Sequence, residues 1–86
     1  MADYKADSVT AIGVGSRGEV YLRFDGLPNP GPCGNNNDWV IIPTSASEAM
    51  KSLAISLYFT PRPISLTTNG CVGAYESVTL LYSPSA

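Results

Sequence analysis

Hydrophobic and polar residues alternate along "EVYLRFD", residues 19–25, so that Val20, Leu22 and Phe24 fall on one side and Tyr21 and Arg23 on the other. That period of two predicts a half-buried β-strand. Upstream, "SVTAIGV" (residues 8–14) is apolar and β-branched and predicts another strand. "WVIIP" (39–43) is short and wholly apolar, a third. The period then changes. Ala46, Ala49, Met50, Leu53, Ala54, Leu57 and Tyr58 recur at helical spacing, which puts Leu53 and Leu57 in the core and Lys51 and Ser52 toward solvent. Ser45 with Glu48 three residues on spells a capping box, and Pro61 and Pro63 stop the helix. "ISLTT" (64–68) predicts a fourth strand, turned by Asn69 and Gly70. "YESVTLLY" (75–82) predicts a fifth, with Val78 and Leu80 facing in.

Between these elements, residues 26–38 are crowded with proline, glycine and asparagine and predict a long surface loop. Residues 1–7 read as a loose N-terminus, 8–82 as a single domain and 83–86 as a tail. The order is β-β-β-α-β-β: mostly β with one helix. Closing five short strands into a barrel removes exposed edges, and a helix between the third and fourth strands would plug one end. This is the topology of the five-stranded OB-fold barrel. An open antiparallel sheet with the helix across one face is the alternative.

The hairpin between the first two strands carries "GVGSRGEV", a G-x-G-x-x-G spelling. In a dinucleotide site such glycines open a helix, whose N-terminus meets the pyrophosphate. Here a strand follows, so Gly15, Ser16, Arg17 and Gly18 predict a tight turn instead. The kinase form of the motif needs a downstream catalytic loop that 86 residues have no room for.

Composition narrows the chemistry. The chain has no histidine, which excludes Ser-His and Cys-His nucleophile activation within one chain. Its seven carboxylates are spread along the sequence with no paired spacing. The expectation is a non-catalytic protein with no cofactor and no metal site. Net charge is −2 with five basic residues and no basic patch, so a nucleic-acid partner is not expected. No run of eighteen apolar residues occurs, so no membrane-spanning helix is expected. Two cysteines without histidine cannot make a four-ligand zinc site, and Cys33 and Cys71 are too far apart for a C-x-x-C motif. A Cys33–Cys71 disulfide is the better reading, worth about 4 kcal/mol through the loop it closes. It implies a secreted or periplasmic location; two buried thiols in a reducing compartment are the alternative. "MADYKADS" does not read as a signal peptide, so export implies a mature form without its leader.

Three groupings stand out as candidate sites. Asn36, Asn37, Asp38 and Trp39 combine an aromatic face with planar hydrogen-bonders, the pairing that sugar recognition uses. Tyr21 and Arg23 on the outer side of the second strand, and Tyr75, are candidates to join them as a glycan site. The competing reading makes the asparagines turn formers and Trp39 core. Ile55 and Phe59, four apart on the helix and outside its main apolar stripe, are candidates for an interface between copies of the chain. Tyr21 and Tyr75 could also stack single-stranded bases, against the sign of the net charge.

"SLYFTPRPISLTTNGC" (56–71), where a small-residue helix ends in an aromatic turn and a proline step before a strand, resembles the B subunits of pertussis-like and subtilase-type AB5 toxins. The layout of Cys33, Trp39, Ala49, Met50 and Cys71 is also similar to that of a group of small exported bacterial proteins. The resemblance spans roughly residues 8–82. It implies an OB barrel, a disulfide, export, a ring-shaped homo-oligomer and glycan binding. No family glycan-contact residue maps onto a position in this chain.

Overall fold

A computed structural model of the chain describes residues 2–27, 33–34 and 39–83. Its elements are β1 (Ala2–Ala6), β2 (Ala11–Val14), β3 (Val20–Arg23), β4 (Trp39–Ile42), α1 (Glu48–Phe59), β5 (Ile64–Val72) and β6 (Tyr75–Tyr82). The protein is mostly β, with one helix among the described residues. The strands form one sheet in the order β1-β5-β6-β4-β3-β2. Every neighbouring pair is antiparallel except β4 and β6, which run parallel. This corrects the expectation of a five-stranded barrel. Among the described residues there are six strands, and no ladder joins β1 to β2.

The additional strand is the segment expected to be loose. "ADYKA" alternates: Asp3 and Lys5 are exposed, while Tyr4 and Ala6 pack against the core. With alanine and a single tyrosine as its apolar positions, the pattern is faint. Register against β5 makes up for it, with Asp3 opposite Thr67 and the Thr67 hydroxyl donating to the Asp3 carboxylate at 2.6 Å.

The two edge strands are consecutive in sequence, and this shapes the sheet. Residues 7–10 can carry the chain about 17 Å from Ala6 to Ala11 when fully extended. Six strands laid flat would hold their edges about 24 Å apart. The sheet must therefore curl, and Val9 is buried in the core at the crossing. Val20, Leu22 and Phe24 face inward as the alternation predicts. They meet Val40 and Ile42, Ile64 and Leu66, Val78 and Leu81, with Ala54 and Leu57 contributed by the helix.

The helix lies over this core in the expected phase but on a narrower stripe, and it starts later than expected. Its N-cap is Ser47, whose side chain accepts from the Met50 amide, and not Ser45. The chain is still turning at that point, with the Ala46 amide donating to the Pro43 carbonyl. The buried stripe is Ala54 and Leu57, with Met50 and Leu53 half-buried beside them, while Ala49 and Tyr58 are exposed. Lys51 does not point freely into solvent. Its side chain is only 11% exposed, pairs with Glu48 at 3.5 Å, and donates to the Thr44 carbonyl.

Two register shifts reset the last hairpin. Thr67 pairs with Leu80 but Thr68 with Val78, leaving Thr79 as an extra residue on β6. That bulge reverses the inside–outside phase. Leu80, expected inside, is 51% exposed, and Leu81 takes its place at 7%. Asn69 and Gly70 do not end β5. The second shift falls there, with Gly70 at φ 79°, a conformation a side chain would resist. The chain reverses further on, at Gly73 and Ala74. Cys33 and Cys71 are disulfide-bonded, with Cα atoms 5.8 Å apart.

Candidate functional site

The strand order brings three aromatic side chains together on the outer face of the sheet. On β3 the inward turn of Val20 and Leu22 sends Tyr21 and Arg23 outward. Gly13 of β2 lies opposite Tyr21. On the other flank, Trp39 of β4 lies opposite Arg23 and Ile41 opposite Tyr21. β6 runs parallel to β4 with Glu76 beside Val40, so Tyr75, one residue earlier, reaches the outer face. Gly13, Tyr21, Trp39 and Tyr75 line a cavity of about 230 Å³. The Tyr21 and Tyr75 rings meet edge to face, 5.3 Å between centroids. Ile41, opposite Tyr21 on this face, is only 4% exposed although it lies outside the inner core cluster.

Beyond Tyr21 lies a second hollow of about 310 Å³, lined by Arg17, Glu19, Ile41, Pro43, Thr44 and Val72, with Tyr21 common to both hollows. The G-x-G-x-x-G stretch shapes this end. It is a β2–β3 hairpin closed by the Gly15 amide on the Glu19 carbonyl (2.8 Å) and the Gly18 amide on the Gly15 carbonyl (3.0 Å). Gly18 sits at φ 88°. A Cβ on Gly15 would collide with the Glu19 side chain, so the bare glycine is what lets that carboxylate fold back over the turn.

Of the residues expected to form a glycan site, the structure brings Tyr21, Trp39 and Tyr75 around one cavity, with Arg23 exposed beside Trp39. Asn36, Asn37 and Asp38 lie outside the described residues, as does most of the loop around them. Ile55 and Phe59 stand apart from this site on the helix. Phe59 is 74% exposed and Ile55 38%, and the Phe59 ring packs edge to face on Tyr58 at 5.3 Å.

Sequence reasoning missed two features. One is Gly13, which lines the cavity because it has no side chain; nothing in a lone glycine announces which face it opens. The other is a buried polar cluster. Glu76 is 6% exposed, and its carboxylate accepts from the Tyr4 hydroxyl at 2.8 and 2.9 Å and from the Thr68 hydroxyl at 2.9 Å. Burial, then the hydrogen bond to Glu76 and its negative charge, push the Tyr4 hydroxyl up to about 12. The signal was present: Glu76 shares the inward parity of Val78. The cluster ties β1, β5 and β6 together from inside.

No group of three histidine, cysteine, aspartate or glutamate side chains that could hold a metal occurs among the described residues. No helix among them is long and apolar enough to cross a membrane. What the outer face offers is flat apolar rings with hydroxyl and indole N–H edges, a surface for stacking and hydrogen bonding. Comparison with protein-family models, with curated proteins and with solved structures returned no match for this chain.

Proposed function

We propose that this chain is an exported, non-catalytic binding module that holds carbohydrate against Tyr21, Trp39 and Tyr75. The observation that carries the reading is their convergence, from β3, β4 and β6, around one 230 Å³ cavity beside Gly13. A pyranose ring has an apolar face of C–H bonds and an equatorial belt of hydroxyls. Aromatic faces take up the first, and phenol, indole and guanidinium groups meet the second.

The same reading relates the open sheet to barrels of OB type, with β1 and β2 standing for one bent first strand. Joined that way, the two edges become one strand, and the helix falls between the third and fourth strands. In such barrels ligands sit on the face of the second and third strands, flanked by the first hairpin and the last. Tyr21 and Trp39 occupy that face, and the hairpins at Arg17 and Val72 flank it. This is support by fold analogy, added to that of the cavity. The Cys33–Cys71 disulfide supports an oxidising compartment, secreted or periplasmic. A net charge of −2 argues against single-stranded nucleic acid on the same rings.

A printed glycan array tests the proposal. The wild-type chain should give reproducible binders, and Trp39→Ala should lower their affinity about tenfold or more while leaving the fold intact. Wild-type binding that Trp39→Ala and Tyr21→Ala leave unchanged would refute it.

A second reading, assembly of copies of this chain as in an AB5 B-subunit ring, is favoured by one observation. Phe59 presents most of its ring to solvent beside Ile55 and Tyr58. With so little net charge, copies repel one another weakly, and a closed ring would bury these side chains at each contact. Light scattering should then report a mass above the 9.1 kDa of one chain, reduced to it by Phe59→Glu. A wild-type monomer at high concentration would exclude this assembly.

A further inference from the structure

The cavity beside Trp39 and the hollow beyond Tyr21 follow one another along a single strand. Trp39 lines the first; Ile41, Pro43 and Thr44 belong to the second. From Trp39 to Pro43 the chain advances about 13 Å, room for two six-membered rings end to end. Tyr21 belongs to both hollows and, with Tyr75 against it, forms the waist between them.

The hollows differ in chemistry. The first is aromatic. The second holds Arg17 and Glu19, a donor fork and a carboxylate that together match vicinal hydroxyls. Both are shaped by the same glycine stretch. Gly13 lines the first hollow, Gly15 leaves the space that Glu19 occupies, and Gly18 closes the turn that presents Arg17. A motif that spells a phosphate loop in another setting here forms one wall of a two-part groove.

From this arrangement we infer that the site takes an extended carbohydrate of at least two linked sugar units. One unit stacks in the Gly13–Tyr21–Trp39–Tyr75 hollow, the chain crosses Tyr21, and the next unit hydrogen-bonds to Arg17 and Glu19. The inference rests on the carbohydrate reading above and adds the length and direction of the ligand. A monosaccharide engages only the aromatic hollow. A disaccharide gains the charge-assisted hydrogen bonds of the second, worth about tenfold in affinity.

Titration calorimetry with cellobiose, maltose, lactose and chitobiose, each beside its constituent monosaccharides, tests the inference. At least one disaccharide should bind about tenfold tighter than its monosaccharides. Arg17→Ala, on an exposed turn, should remove that advantage and leave monosaccharide affinity unchanged. Gly15→Ala should do the same by displacing Glu19. Trp39→Ala should weaken both ligands. Equal affinity for mono- and disaccharide, with Arg17→Ala and Gly15→Ala silent, would overturn the two-part groove while leaving the aromatic site standing. No binding of any sugar, here or on the array, would overturn both.

Discussion

Tyr4 and Glu76 show how one buried carboxylate organises its surroundings. A carboxylate at an inward strand position must have hydrogen-bond donors or lose its solvation without return. Tyr4 donates from β1 and Thr68 from β5, so satisfying Glu76 also fastens the N-terminal strand. The Tyr4 hydroxyl, raised from 10.0 to about 12, gives a pH signature. Below about 10 the phenol is protonated in folded and unfolded chains alike, and its contribution is complete. Between about 10 and 12 the unfolded chain gives up its proton while the folded chain keeps it. The unfolded state then binds fewer protons, so stability falls as pH rises through that window. Urea melts across the window should show this loss, and Tyr4→Phe should flatten it. An identical slope in the variant would mean that Tyr4 is not buried against Glu76.

At the scale of elements, the strongest periodicities translated directly. The alternation of Val20, Leu22 and Phe24 and the helical spacing of Leu53, Ala54 and Leu57 each reflect one long run of burial against one surface. Leu57→Ala should accordingly cost about 2–5 kcal/mol in denaturant melts and Ser52→Ala almost nothing. Equal costs would place the helix face elsewhere. The elements that were hard to read are those decided by a partner. β1 has a faint pattern and exists through its ladder to β5. Leu80 and Leu81 trade places because Thr79 bulges, a fact of register between strands and invisible in either one. The cap moved from Ser45 to Ser47 because the chain was still reversing over Pro43, and both serines are equally good acceptors.

For the whole molecule, the candidate site is a product of strand order. Tyr21, Trp39 and Tyr75 could each be named from the sequence as aromatic residues on or near outward positions. Their convergence needed β4 to lie between β3 and β6, and the parallel β4–β6 pairing that sets Tyr75 beside Trp39 was not expected. The role of Gly13 follows only from its place opposite Tyr21. The curl that brings the N-terminal segment to both edges of the sheet is likewise a property of the whole chain path. The chain holds a single tryptophan, and it lies in the cavity assigned to ligand, so its fluorescence reports on that cavity alone. Titrating the folded protein with a sugar identified on the array, while exciting the indole selectively, is the most direct measurement of the central claim. A saturable shift or quench of Trp39 emission, following the same curve as binding measured by calorimetry and abolished in Gly13→Val, is the predicted result. Calorimetric binding with Trp39 emission unchanged would place the ligand elsewhere and contradict the account.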